Sequence, residues 1–122
     1  MKNLFRNFGF LIFLTVIVFF AAGCPDDTLP APTGLTATVY GKIITLSWNA
    51  VENADQYEVY GSFKSGGPFV FIGYVRSGTA FYVTSMDEQG NIPLEPNTTY
   101  YFKVCAYSGE LSSEVSVTTG TW

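Results

Sequence analysis

Histidine is absent from this 122-residue sequence, and cysteine occurs only twice, at positions 24 and 105. Without histidine the chain lacks the commonest general base and the commonest metal ligand of proteins. Two cysteines, one of which is assigned to a separate role below, cannot build a disulfide framework. The fold must therefore rest on hydrophobic burial, and the length allows one core of sandwich size.

Positive charge is also scarce. The chain has six lysines and arginines against ten carboxylates, and after residue 23 only four of those cations remain against all ten acids, a net charge of −6. A chain this acidic carries no electrostatic footprint for nucleic acid or for an anionic membrane surface. We therefore expect no nucleic-acid partner.

Groups arranged for catalysis are missing as well. Adjacent carboxylates occur at Asp26-Asp27 and at Asp87-Glu88, both in loop-like stretches where surface charge is the ordinary interpretation. The segment 87–91 only faintly resembles the regular oxygen spacing of a calcium loop. No nucleophile elbow and no phosphate-binding glycine loop is present. We expect no enzymatic activity, no cofactor and no metal site.

The first 23 residues have three parts. Lys2 and Arg6 give a positive start, residues 8–22 form an apolar run of 15 residues interrupted by Gly9 and Thr15, and small residues follow. This is the pattern of a secretory signal peptide. The run is shorter than the roughly 20 residues of a spanning helix, although a retained membrane anchor stays open as an alternative.

The end of this leader, Ala21-Ala22-Gly23-Cys24, resembles the lipobox of bacterial lipoproteins, with Ala21 where leucine is commonest. The resemblance implies cleavage before Cys24, a lipid on its thiol, and a membrane-anchored protein on the extracytoplasmic side of a bacterial cell envelope. Ordinary cleavage, which would leave a soluble secreted chain, is the competing interpretation. Residues 24–32 are acidic and proline-rich, so we expect an extended, solvated tether.

From residue 33 onward the hydrophobic pattern has a period of two, which is typical of strands with one buried face. The turn-forming segment 65–68 separates two of the strands, and no stretch shows a helical period. The expected inward residues are Leu35, Ala37, Val39, Ile44, Leu46, Trp48, Tyr57, Val59, Phe81, Val83, Tyr100, Phe102, Val104, Ala106, Val115 and Val117. Residues 33–119 thus predict an all-β antiparallel sandwich.

Four segments together resemble the fibronectin type III family, an immunoglobulin-like fold. They are Leu46-Ser47-Trp48-Asn49, Tyr57-Glu58-Val59-Tyr60, the run 94–106 and Ser116-Val117-Thr118-Thr119. The resemblance covers residues 30–119. It implies that Trp48 lies between the sheets and that Tyr100 is a corner tyrosine, bonded near Leu94 to a backbone group that we expect to be a carbonyl. The loop 108–111 contains no Arg-Gly-Asp, so integrin binding is not implied.

The same resemblance places four predicted strands in one sheet, and it directs alternate aromatic side chains outward. Residues 69–75 are apolar on both faces, so bulky groups must point away from the core there. We predict a partner-binding face for a protein or a glycan, formed by Tyr60, Phe71, Tyr101, Lys103 and Tyr107. The inserted loop 86–93 either covers this face or leaves it open. Cys105 shares the outward parity, either as a small covered hydrophobe or as a thiol that pairs with another chain.

These observations predict a lipid-anchored, non-catalytic binding or adhesion module with an unidentified ligand. The alternative is a structural subunit of a larger envelope assembly that uses the same aromatic face as a permanent interface.

Overall fold

The computed structural model describes residues 29–122, so the leader, Cys24 and the first part of the tether lie outside the described residues. The described part contains seven strands. They are β1 (Thr36–Tyr40), β2 (Ile43–Ser47), β3 (Tyr57–Ser62), β4 (Val70–Val75), β5 (Ala80–Val83), β6 (Thr99–Ala106) and β7 (Val115–Thr118). Two antiparallel sheets result, with strand orders β1-β2-β5 and β4-β3-β6-β7. The predicted sandwich is confirmed.

The core lies between the two sheets and follows the predicted alternation. Ile44 and Leu46 of β2 are completely buried, and so are the four inward residues of β6, namely Tyr100, Phe102, Val104 and Ala106. Alternate residues of a strand point to opposite faces, which is why one pattern supplies both the core and the exposed side. The fully inaccessible inner face of β6 makes this strand the centre of the core.

Trp48 follows the last residue of β2 and occupies the space between the sheets, as predicted. Its ring meets that of Tyr57, from the opposite sheet, edge to face with centroids 5.4 Å apart. The Tyr57 hydroxyl oxygen accepts a hydrogen bond of 2.8 Å from the backbone N–H of Val51. The pair thus joins the two sheets and fixes the loop that follows β2.

The inserted loop 86–93 is anchored in the core. The Met86 side chain is buried, and its Cε atom lies 2.8 Å from where a Cβ atom on Gly61 would stand. The Asp87 carboxylate accepts backbone hydrogen bonds from Gly90, Asn91 and Ile92 at 3.0 to 3.2 Å. The loop is therefore closed on itself, and its one large buried side chain points between the sheets.

The end of the predicted tether does not behave as a solvated linker. The backbone carbonyl of Leu29 accepts a hydrogen bond of 3.1 Å from the N–H of Glu110, and Leu29 forms a parallel bridge with Gly109. Pro32 is buried, and Leu29 packs against the core. The expectation of full solvation is thus wrong for Leu29 and Pro32, because they supply apolar surface that the folded domain covers, whereas Pro30 between them is exposed. Within residues 29–122 no helix has the length and apolarity to cross a membrane.

Candidate functional site

The candidate site lies on the outer face of the four-stranded sheet, where a β-bulge changes the alternation of β4. Tyr60 pairs with Phe71 and Val59 with Gly73, so Ile72 is an extra residue opposite the Val59–Tyr60 step. Ile72 is buried. A bulge of this kind shifts the side-chain parity by one residue. Phe71 and the aromatic residue three positions later, Tyr74, therefore share the outer face.

The bulge assembles an aromatic cluster, which we define as Tyr60, Phe71 and Tyr74. The rings of Phe71 and Tyr74 are stacked, with centroids 6.5 Å apart and planes inclined by 20°. The ring of Tyr60 meets Phe71 edge-on at 5.8 Å. Tyr74 is 46% exposed, and the Arg76 guanidinium lies 5.0 Å from the centre of its ring. The cluster is thus a group of aromatic rings in mutual contact, with a cation at its margin.

Polar contacts hold the Tyr60 side chain of the cluster in place. The Tyr60 hydroxyl donates a hydrogen bond of 2.9 Å to Oε1 of Glu58. Burial, together with the hydrogen bond to the Glu58 carboxylate and its charge, raises the pKa of Tyr60 to about 12. The same Oε1 atom accepts the thiol of Cys105 at 3.8 Å, and Cys105 is only 6% exposed. Cys105 thus lies on the outward parity, as expected, but is covered by its surroundings.

The turn between β3 and β4 is bonded to the segment that leads into β7. The Glu114 carboxylate accepts hydrogen bonds from Ser65 Oγ at 2.7 Å and from the Gly66 N–H at 2.8 Å. These bonds hold the pKa of Glu114 below its ordinary value. The turn is thereby fixed to the segment that precedes β7. Phe69, just before β4, has its ring centre 5.1 Å from Lys103 Nζ on β6, and Lys103 is half-buried.

Three of the five residues of the predicted face stand side by side across the sheet. Tyr60 of β3 is the cross-strand partner of Phe71 on β4 and of Lys103 on β6, and its ring contacts that of Phe71. Tyr101 is half-buried on β6, opposite Ser62 and Ser116. Tyr107 lies beyond the end of β6 and is 58% exposed.

Sequence reasoning missed Tyr74 and Arg76, which the structure adds to the site. Strict alternation places Tyr74 on the face opposite Phe71, and only the bulge brings the two rings together. Gly73 was the available signal, because an isolated glycine inside a strand pattern is typical of a bulge or a close backbone approach. Here it marks both, since a Cβ atom on Gly73 would lie 2.5 Å from the Phe81 ring.

The outer face of the four-stranded sheet offers surface for binding a partner. Beside the cluster lies a shallow depression of about 330 Å³ whose lining includes Tyr60, Phe69 and Leu111. Its one carboxylate, that of Glu58, already accepts the Tyr60 hydroxyl and the Cys105 thiol. Within residues 29–122, no three acidic, cysteine or histidine side chains are grouped closely enough to hold a metal ion. The exposed surface offers aromatic faces and a guanidinium.

Comparison with solved structures connects this geometry to known proteins. An Fn3-like protein from Clostridium thermocellum is 32% identical in sequence, with a TM-score of 0.59; the match covers 75% of this chain and 93% of that one. FN3tt is 23% identical, with a TM-score of 0.59, and the match covers 77% of this chain and 97% of that one. The FN1–FN3 domains of chicken CNTN1 are 19% identical over 80% of this chain and 32% of theirs, also with a TM-score of 0.59.

The similarity to FN3tt and to the CNTN1 domains concerns the fold alone. The similarity to the Clostridium thermocellum protein also extends to the sequence. No protein-family model matches the sequence, and no curated protein matches it. The fold is that of a binding or structural module.

Proposed function

The chain belongs to the fibronectin type III-like family, and from this premise we propose that it is a non-catalytic binding module, lipid-anchored through Cys24 on the extracytoplasmic side of the cell envelope. In this proposal the aromatic cluster of Tyr60, Phe71 and Tyr74 contacts the ligand. Arg76 supplies hydrogen bonds at the margin.

The stack of Phe71 on Tyr74 is the observation that carries this function. The core has no need of these rings, because Ile72 and Val75 supply the inward surface of β4. Aromatic rings that are held in place and partly exposed lose little conformational entropy when they bind a partner. A surface that is already ordered by the sheet and by Arg76 thus suits recognition.

A glycan is the ligand class that the shape of the cluster favours. The stacked rings of Phe71 and Tyr74 present an ordered, partly exposed aromatic surface, against which the C–H groups of a sugar ring can pack. The Tyr74 hydroxyl and the Arg76 guanidinium lie beside it and can bond to sugar hydroxyls. Glu58 and Tyr60 already satisfy each other, so the polar contacts would come from the exposed margin.

Anchoring is supported by the leader pattern and by the point where the chain joins the domain. Leu29 is bonded to the loop 107–111, so only residues 24–28 separate the proposed lipid from the folded part. Five residues span at most about 17 Å. The domain would therefore sit close to the bilayer, with the loop 107–111 toward the membrane.

Binding can be tested with membrane vesicles that carry the full chain, passed over immobilised polysaccharides of defined composition. We expect Phe71→Ala and Tyr74→Ala to reduce retention at least tenfold. Tyr82→Ala is the matched control, because Tyr82 is 68% exposed on the other sheet. Equal losses in all three variants, or no retention on any polysaccharide, would contradict glycan binding at the cluster.

The alternative function is that of a structural subunit, in which the cluster is a permanent protein interface. The apolar character of the stack is what favours it, since permanent interfaces are more apolar than transient ones. The two functions differ in what mild detergent extracts from the membrane. A permanent interface predicts a stoichiometric complex that Tyr74→Ala dissociates, whereas a glycan module is extracted without such a partner.

The anchor needs its own test. Metabolic labelling with a fatty-acid analogue should label the wild-type chain, and Cys24→Ser should abolish both the label and recovery in the membrane fraction. Label that persists in Cys24→Ser would reject the anchor and leave the binding face untouched.

A further inference from the structure

The strand β4 is an edge of its sheet and pairs only with β3 among the described strands. One side of its backbone therefore faces away from the ladder. Natural proteins usually protect such an edge with lysine, proline or inward-pointing charges. Residues 70–75 contain none of these, because the strand reads Val70-Phe71-Ile72-Gly73-Tyr74-Val75. The nearest charged residue on the C-terminal side is Arg76, just past its end.

The sequence of β4 is self-complementary when the strand is reversed. A second copy, laid antiparallel about the Ile72–Gly73 bond, sets valine opposite valine and an aromatic ring opposite an aromatic ring. At the centre it sets Ile72 opposite glycine. Aromatic pairs and pairs of β-branched residues are favourable cross-strand neighbours. The pattern is thus that of a strand suited to pair with itself.

The bulge makes this register consistent on both faces of the sheet. In a regular strand, a two-fold axis between two residues would place inward side chains opposite outward ones. In β4, Phe71 and Tyr74 both face outward, whereas Ile72 is buried and Gly73 lies against Phe81. The order of faces from Phe71 to Tyr74 is therefore the same in either direction. A β-bulge normally hinders edge pairing. Here the bulge at Ile72 lets inward residues of one copy stand opposite inward residues of the other.

We propose that two copies of this chain associate through their β4 edges, antiparallel about the Ile72–Gly73 bond, to form one continuous eight-stranded sheet. Pairing of this kind is isologous and closes with two subunits, so it does not extend into fibres. The outer face stays open in the dimer. Phe71 of each copy comes to lie beside Tyr74 of the other, which joins the two aromatic clusters into one surface.

Charge does not oppose this contact at close range. In the proposed register the two Arg76 residues lie seven strand positions apart, or roughly 23 Å. That separation exceeds the Debye length of about 8 Å at physiological salt. The two acidic domains still repel weakly. A single strand pair also buries less than the roughly 1,200 Å² of a stable interface.

The dimer should consequently be weak in dilute solution and populated where the chains are concentrated. Confinement on a membrane raises the effective concentration and so favours it. Confinement on the membrane depends on the lipid anchor proposed at Cys24, whereas the register of the β4 pairing does not. Fractionation of the same samples reports the anchor separately.

The register can be tested by disulfide formation between two full-length chains that carry different tags in the same membrane, both in a Cys105→Ser background. Phe71→Cys on one chain and Tyr74→Cys on the other should place the two Cα atoms about 5 Å apart. Two copies of the same variant place them about 11 Å apart, beyond the roughly 7 Å limit of a disulfide. We expect the mixture to give at least fivefold more crosslinked dimer than either variant alone.

Tyr40→Cys mixed with Tyr82→Cys is the matched control, because both residues are exposed on the other sheet. Crosslinking no greater in the Phe71/Tyr74 mixture than in this control would overturn the proposal. So would crosslinking as strong with Phe71→Cys alone, which requires a different register.

A second measurement needs no cysteine and keeps the proposal testable if those variants fail to accumulate. Energy transfer between tagged, otherwise unmodified chains should be detectable in membranes. Tyr74→Lys places a charge on the pairing edge and should reduce the transfer at least twofold, while Tyr82→Lys leaves it unchanged. Transfer that is absent in the unmodified chain, or equal in both variants, would reject the dimer.

Discussion

The hydroxyl oxygen of Tyr100 accepts a hydrogen bond of 2.7 Å from the backbone N–H of Glu95, five residues earlier. Tyr100 is itself completely buried. The bond closes the corner between the inserted loop and β6. The family resemblance predicted such a bond to the backbone near Leu94, and the expected partner was a carbonyl. That detail is wrong, because the hydroxyl acts as the acceptor and the backbone as the donor.

Tyr100→Phe should therefore leave the N–H of Glu95 without its acceptor. We expect a loss of about 1–3 kcal/mol in the free energy of unfolding, the cost of leaving a partly buried group unsatisfied. For a domain of this size each kcal/mol corresponds to roughly 4–8 °C in the melting temperature. Thermal melting followed by circular dichroism measures the shift. Tyr107→Phe is the control, since that residue is exposed; equal melting temperatures for the two variants would refute the role of the corner.

Trp48→Ala should be more costly than the loss of the corner bond. The indole fills the space between the sheets against Tyr57, so truncation removes a large apolar contact and leaves a cavity. We expect about 3–5 kcal/mol, measured by urea unfolding. Trp122→Ala should change stability by less than about 0.5 kcal/mol, because its side chain is partly exposed near Lys42. A Trp48→Ala variant as stable as Trp122→Ala would contradict the packing.

The fold could be predicted because its signals are local. The inward residues of β2 and β6 follow strict alternation. These inward positions can be inferred from the period of a strand. The places of Trp48 and Tyr100, and the grouping of four strands in one sheet, came instead from the resemblance to the fibronectin type III family.

The composition of the site could not be predicted, because it depends on contacts between distant residues. A register shift against β3 brings Tyr74 to the cluster. The carboxylate of Glu114, 49 residues away along the chain, holds the turn at Ser65. Neither the register shift nor this bond can be recognised from the periodicity of the sequence. The docking of Leu29 was missed for a related reason, since proline and acidic residues around it indicate a linker.

Gly73 allows a direct test of the bulge. An added Cβ atom would lie 2.5 Å from the Phe81 ring, which itself packs against the core. Gly73→Ala should therefore destabilise the domain by about 1–3 kcal/mol through overpacking. In Gly120→Ala the new methyl group meets nothing within 4 Å, so that variant serves as the control. The same urea midpoint for both variants would show that β4 moves away from Phe81 without a loss of stability, and would contradict the close contact at Gly73.

The raised pKa of Tyr60 predicts a specific dependence of stability on alkaline pH. Between its ordinary value of 10 and about 12, the folded protein keeps the phenolic proton while the unfolded chain loses it. Stability is therefore fully present below pH 10 and falls as pH rises toward 12. Because Tyr60 is partly exposed, we expect a loss on the order of 1 kcal/mol across this window. Tyr60→Phe should flatten the profile measured by urea unfolding; a slope unchanged in this variant would assign it to another group.

Asp87 provides the last prediction, which concerns the inserted loop. Its two carboxylate oxygens accept three backbone N–H groups, from Gly90, Asn91 and Ile92. The faint calcium pattern in this segment thus coincides with a carboxylate that is already bonded to its own loop. Asp87→Ala should cost about 1 kcal/mol, because three exposed backbone donors exchange a fixed carboxylate for water. Glu88→Ala alters an exposed neighbour and should have little effect. If added calcium raises the melting temperature of the wild type and not that of Asp87→Ala, the carboxylate binds the ion and this account of the loop is wrong.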